Sequence, residues 1–183
     1  LATVSPTVMA TNVFNNNSAI TNLSGVNTIK AGIIWAGTAA KTWNIASGSE
    51  LVLSNTTTID VGGDHSFIGG GTLRVKGAVN IGQASSAQPT LLFNDGKMIV
   101  DGGSFVARNG YRLGAQTGAA AETILTNGAN MTMTTTGGNI RVGDASNPVT
   151  IRFTMDNSTL TLAGGNVSIP YADGATSIVS QVG

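Results

Sequence analysis

A short alternating pair closed by glycine returns three times in this chain, as Val79-Asn80-Ile81-Gly82, Tyr111-Arg112-Leu113-Gly114 and Ile140-Arg141-Val142-Gly143. After each landmark comes a small polar stretch, then a strand-like segment, a turn, another such segment and a double glycine, at Gly102-Gly103, Gly137-Gly138 and Gly164-Gly165. Recurrence of the whole pattern at a period of about 30 residues is the signature of a repeat architecture. A unit of that size holding two or three short strands cannot bury its apolar face alone, so it must stack on the next copy. Stacking of the landmarks would place Ile81, Leu113 and Val142 in a single inward column.

The segments between these landmarks alternate with a period of two. Their same-face apolar pairs include Leu51/Leu53, Ile59/Val61, Leu73/Val75, Val79/Ile81, Leu91/Phe93, Met98/Val100, Tyr111/Leu113, Met131/Met133, Ile140/Val142, Ile151/Phe153, Leu160/Leu162 and Val167/Ile169. Each reads as a strand with one buried face. Turn signals such as Asn94-Asp95-Gly96, Asp101-Gly102-Gly103 and Asn127-Gly128 separate them, supplying residues that tolerate positive φ. No apolar periodicity of 3.6 survives three turns, and the best helical fragment, Ala119 to Glu122, is too short to stand. The expected fold is all-β, a parallel β-solenoid with inward ladders of Leu, Ile, Val, Met and Phe. An antiparallel sandwich also has short strands and regular turns, but it gives no reason for one tetrapeptide pattern to recur.

Residues 1–45 differ in character, with Asn15-Asn16-Asn17 and the paired tryptophans Trp35 and Trp43. A solenoid leaves unpaired backbone at its ends. Residues 1–45 are therefore expected to cap the solenoid formed by residues 46–183, or else to supply a strand to a neighbouring subunit.

Composition narrows the setting. Charged residues make up 10% of the chain, against roughly 25% in soluble domains, so Thr, Ser, Asn, Gly and Ala must cover the surface. Such a coat packs against copies of itself without desolvating many charges. Nine basic and nine acidic residues give zero net charge, which leaves no electrostatic footprint for nucleic acid. The longest apolar run, around Ile33, Ile34 and Trp35, is too short to span a bilayer, so no membrane insertion is expected. The absence of cysteine excludes a disulfide framework and fits export. The start at Leu1 fits a processed chain or a fragment.

The string from Gly69 to Gly82, with the later landmarks and the Gly-Gly-Ser and Gly-Gly-Asn turns, resembles the autotransporter-associated β-strand repeat proteins and similar passenger domains of bacterial surface proteins. The resemblance spans roughly residues 42–170. It implies a right-handed β-helix, secretion, and a role in adhesion, matrix or surface display. It carries no catalytic motif.

Several residues invite chemistry. His65, in Gly62-Gly63-Asp64-His65-Ser66 with Asp60 nearby, suggests a hydrolase, but it has no nucleophile elbow and no second base. It reads as a turn residue. Asp95, Asp101 and Lys97 lie around one turn, where Arg108 or Asp64 from adjacent coils could meet them as a polysaccharide-cleaving group. Ordinary turn aspartates bonding local backbone are the expected reading. Asp60 with Asp64, and Asp144 with Asn147, are the best oxygen ligands for calcium, yet the repeated Gly-Gly-x-Gly-x-Asp nonapeptide is missing. Six sequons, at Asn16, Asn22, Asn55, Asn130, Asn157 and Asn166, follow from an Asn- and Thr-rich composition. No catalytic, cofactor-binding or metal-ligating residue is assigned, and no cofactor is expected. The expectation is a secreted, cell-surface structural protein of a fibre or passenger, not an enzyme, with neighbouring copies as partners and surface glycans as a further one. A carbohydrate-binding or carbohydrate-cleaving β-helix is the alternative.

Overall fold

A computed structural model describes residues 12–15, 19–36, 40–59, 64–82, 90–108, 110–114, 119–134, 139–143, 150–169 and 176–182. Among these residues twenty-one short strands follow one another in rungs of three. The first rung is β1 (Asn12–Asn15), β2 (Ala19–Asn22) and β3 (Val26–Ile29), and the second β4 (Ile33–Ala36), β5 (Lys41–Ile45) and β6 (Glu50–Leu53). Next come β7 (Thr57–Ile59), β8 (His65–Ile68) and β9 (Thr72–Val75), then β10 (Ala78–Ile81), β11 (Thr90–Phe93) and β12 (Gly96–Asp101). The fifth rung is β13 (Ser104–Ala107), β14 (Gly110–Leu113) and β15 (Ala121–Thr126). The sixth is β16 (Asn130–Met133), β17 (Ile140–Val142) and β18 (Thr150–Asp156), and the last β19 (Thr159–Leu162), β20 (Val167–Ser168) and β21 (Thr176–Val182).

Every third strand belongs to the same sheet. The first sheet runs β1-β4-β7-β10-β13-β16-β19, the second β2 to β20 and the third β3 to β21, each seven strands deep. The strand pairs are parallel, as in Leu91 beside Tyr111 and Glu122 beside Arg152. The chain is therefore an all-β parallel solenoid. Among the described residues there is no helix long and apolar enough to cross a membrane. From Asn12 onward the expected N-terminal segment contributes strands to the same three sheets, and residues 1–11 lie outside the described residues.

Side-chain alternation explains why three sheets close round one interior. Inward positions of the first sheet stack as Ile33, Thr57, Val79, Phe105 and Met131. The second stacks Trp43, Phe67, Phe93, Leu113 and Val142, and the third Leu51, Leu73, Met98, Thr123 and Phe153. All of these are buried. Each large apolar side chain among them contributes about 1.5–3 kcal/mol when taken fully from water. The rings of Trp43 and Phe67 stack with centroids 5.0 Å apart, and those of Phe67 and Phe93 lie 5.4 Å apart.

The register corrects one expectation. Leu113 and Val142 are direct partners in the second sheet, but Ile81 lies in the first, between Ile59 and Ala107. Gly82 closes a strand of one sheet and Gly114 a strand of another, so the spacing between those two glycines is not a repeat length. Nor is the step from one coil to the next constant: it is much shorter from Phe93 to Leu113 than from Glu122 to Arg152. Glycine closes strands at more than one corner of the coil, and the tetrapeptide carries no mark of which corner it occupies. Val167 and Ile169 also depart from expectation, being 38% and 40% exposed at the last rung. Val61 lies outside the described residues.

Corner glycines let successive coils approach. Gly96 has φ of 83°, and a Cβ there would be driven into the carbonyl oxygen of Gly71 on the coil below. A Cβ on Gly103 would stand 2.5 Å from the carbonyl oxygen of Gly77. Backbone bonds bind the same corners, with the amide of Lys97 donating to Gly71 and that of Ser104 to Gly77.

One polar pair crosses the interior. The Tyr111 hydroxyl and the Thr123 hydroxyl share a short hydrogen bond, both residues fully buried, and burial pushes the Tyr111 phenol well above its usual range. Tyr111→Phe leaves the Thr123 hydroxyl short of this partner and is expected to cost about 1–3 kcal/mol, whereas adding Thr123→Val should recover much of that loss. Thermal unfolding of the single and double variants checks the cycle.

Candidate functional site

Outward positions of the third sheet carry a ladder of charge. In register from the second rung to the sixth stand Glu50, Thr72, Lys97, Glu122 and Arg152. Further along the strands, Arg74 reaches across coils. Its Nε donates to Glu50 Oε1 at 2.8 Å and its Nη1 to Asp101 Oδ2 at 3.1 Å. Lys97 Nζ pairs with Glu122 Oε2 at 2.8 Å. Asp101 also accepts from Asn127 Nδ2 at 2.6 Å. That amide, then the cations Arg74 and Lys76, hold the Asp101 carboxyl below its ordinary value. The hydrogen bond to Glu50 raises the already basic guanidinium of Arg74. Parallel in-register strands place opposite charges one coil apart, about 4.8 Å, which is why charges far apart in sequence meet here. The pairs are half-exposed, so each is worth at most about 1 kcal/mol, and they fix register more than they add stability.

Beside this ladder lies a groove of about 520 Å³, lined in part by Thr72, Asp95, Lys97, Glu122 and Arg152. Glu122 is engaged by Lys97, and Asp101 faces Arg74 and Lys76 rather than Arg108 or Asp64. Asp64 serves the backbone, accepting from the Thr90 amide at 3.0 Å through Oδ1. Asp95 and Lys97 share the groove. Among the described residues no group of three or more His, Asp or Glu could hold a metal ion. Asp60, Asp144 and Asn147 lie outside the described residues. Of the sequon asparagines, Asn22 is buried, Asn55 half-buried, and Asn130, Asn157 and Asn166 are exposed; Asn16 lies outside the described residues.

His65 is not a turn residue. It occupies an inward position of β8 with no exposed surface, stacked between Lys41 and Leu91. Burial, and then the charge of Lys41, lower its pKa from 6.5 to about 4. Lys41 is itself 2% exposed. Sequence reading misses Lys41, Glu50, Arg74, Glu122 and Arg152. The signal is present in the parity of each position within its strand, which assigns Lys41 and His65 to the inside and the others to the outside.

A second feature lies at the ends. Of the eight large apolar side chains exposed among the described residues, seven sit at the two terminal rungs: Leu23 and Val26 at one, Val167, Ile169, Ile178, Val179 and Val182 at the other. Ile34 is the eighth. Comparison with protein-family models, with curated proteins and with solved structures finds no match.

Proposed function

We propose that this chain is an extracellular structural protein, a building block of a bacterial surface fibre or passenger whose copies join end to end by β-strand pairing. The observation that carries the reading is the gathering, among the described residues, of exposed apolar side chains at the first and last rungs; strand addition is the means by which one β-stack joins another. A chain with 10% charged residues and no cysteine suits assembly outside the cell. The reading needs no catalytic residue, cofactor or metal. Adhesion or display follows from stiffness, since each added copy extends the same hydrogen-bonded stack.

The seven described rungs, at about 4.8 Å each, span about 34 Å along the axis. Electron microscopy of the purified chain should show rods several times that length, growing with protein concentration. Particles that stay at the monomer's size and mass at every concentration, by microscopy and analytical ultracentrifugation, would remove the basis for the fibre. The groove beside Lys97, Glu122 and Arg152 favours a second reading, glycan binding along the third sheet, which a glycan-array screen of the same material tests.

A further inference from the structure

We infer that the groove beside the charge ladder takes a carboxylate-bearing glycan chain laid along the solenoid axis, with Arg152 pairing the carboxylate and Asp95 accepting from sugar hydroxyls two coils away. This rests on the glycan-binding reading and names its ligand class. The groove crosses four coils, from Thr72 in the third rung to Arg152 in the sixth. Gly70, Gly96 and Ala120, which line it, end at Cα or Cβ and leave the corner open. Two of its charges, Lys97 and Glu122, satisfy each other at 2.8 Å. The other two do not. Asp95 Oδ1 has no hydrogen-bond donor among the described residues, and among those residues neither Asp95 nor Arg152 enters an ion pair. A half-buried carboxylate left without a donor is costly, and a hydroxyl brought to it offsets that cost through a charge-assisted bond.

The lining selects the ligand. Strands β9, β12, β15 and β18 are each paired on both sides, so the groove offers no strand edge for a peptide to extend. No apolar side chain larger than alanine lines it, which leaves the apolar face of a helical peptide without an anchor. The lining also holds no aromatic ring, so a neutral sugar finds neither a stacking surface nor a charge to hold it. Arg152 is exposed, and its planar guanidinium matches a carboxylate with two parallel hydrogen bonds. Asp95 and Arg152 stand two coil steps apart, about 9.6 Å along the axis, so the carboxylate and the hydroxyls come from different sugars of one chain. Glu122, in register beside Arg152, repels a densely acidic polymer and favours carboxylates spaced by neutral sugars.

The probe is a hexasaccharide of alternating glucuronate and N-acetylglucosamine, with its carboxyl-reduced form as the neutral control, each titrated calorimetrically into the native chain at one ionic strength. The acid form should bind about tenfold more tightly than the reduced form, and Arg152→Gln should abolish that preference. Asp95→Ala should weaken both sugars about threefold or more, whereas Lys76→Gln, outside the groove, should leave both affinities unchanged. Equal affinity for the two forms, or an Arg152→Gln chain that still prefers the acid, overturns the carboxylate assignment and leaves the glycan reading standing. Tighter binding of a peptide of alternating glutamate and serine overturns the glycan in favour of a protein partner. Binding of neither sugar, together with no signal on the glycan array, overturns both.

Discussion

Phe93→Ala is expected to lower the free energy of unfolding by about 3–5 kcal/mol, the largest loss of any single truncation considered. Phe93 is 1% exposed, stacks on Phe67 at 5.4 Å, and carries Leu113 on its other side. Removing the ring opens a cavity halfway along the column, where Trp43 and Phe67 below and Leu113 above are held by backbone ladders and cannot close in. In a stack where each rung touches only its neighbours, the damage is also to coupling between the two halves. Urea unfolding followed by far-ultraviolet circular dichroism should then show a shallower or two-step transition in place of one cooperative step. Asn80→Ala, at a half-exposed position on the outer face, should stay within about 0.5 kcal/mol. A Phe93→Ala midpoint unchanged from the native chain would mean that the aromatic column does not hold the rungs together.

Acid should weaken the fold through His65. Unfolded, the imidazole takes a proton near 6.5; folded, only at about 4. Above pH 6.5 both states are neutral and the contribution is whole. As pH falls from 6.5 to 4 the unfolded chain binds a proton that the folded chain refuses, and stability drops by about 1.4 kcal/mol per unit, about 3 kcal/mol in all. Below pH 4 this group costs nothing further. His65→Leu, which places a leucine beneath Leu91, should flatten the stability profile between pH 6.5 and 4. Lys41→Met should flatten it only in part, because burial is the greater cause and the lysine charge the lesser. Asp101, held low by Asn127 and Arg74, contributes an acid loss of its own, common to both variants. Equal slopes for the native chain and His65→Leu across that interval would show that His65 is not titrating from the core.

Strand type is legible because alternation is a local property: Leu73/Val75, Met98/Val100 and Met131/Met133 alternate on either side of polar or outward residues, and all six are buried. The sheet to which each strand belongs is not legible. Ile81-Gly82 and Leu113-Gly114 read alike, yet they close different corners, and only the lengths of the intervening loops, which make some coils longer than others, decide which corner is reached. Strands with weak alternation, such as Ser104–Ala107 with Phe105 and Ala107 inside, escape notice for lack of contrast. The charge ladder escapes for a different reason. Arg74 meets Glu50 and Asp101 from neighbouring coils, at separations set by the coil register and not by any motif. His65 is misplaced by sequence reading because flanking glycines outweigh the alternation of His65 with Phe67.

The uneven length of the coils has a consequence for how such a molecule can change over generations. Corners absorb insertions and deletions while the strands keep their partners, so in-frame duplication or loss of one winding alters the length of the rod and little else. The length of the stack can thus change in increments of about 4.8 Å, with its cross-section untouched.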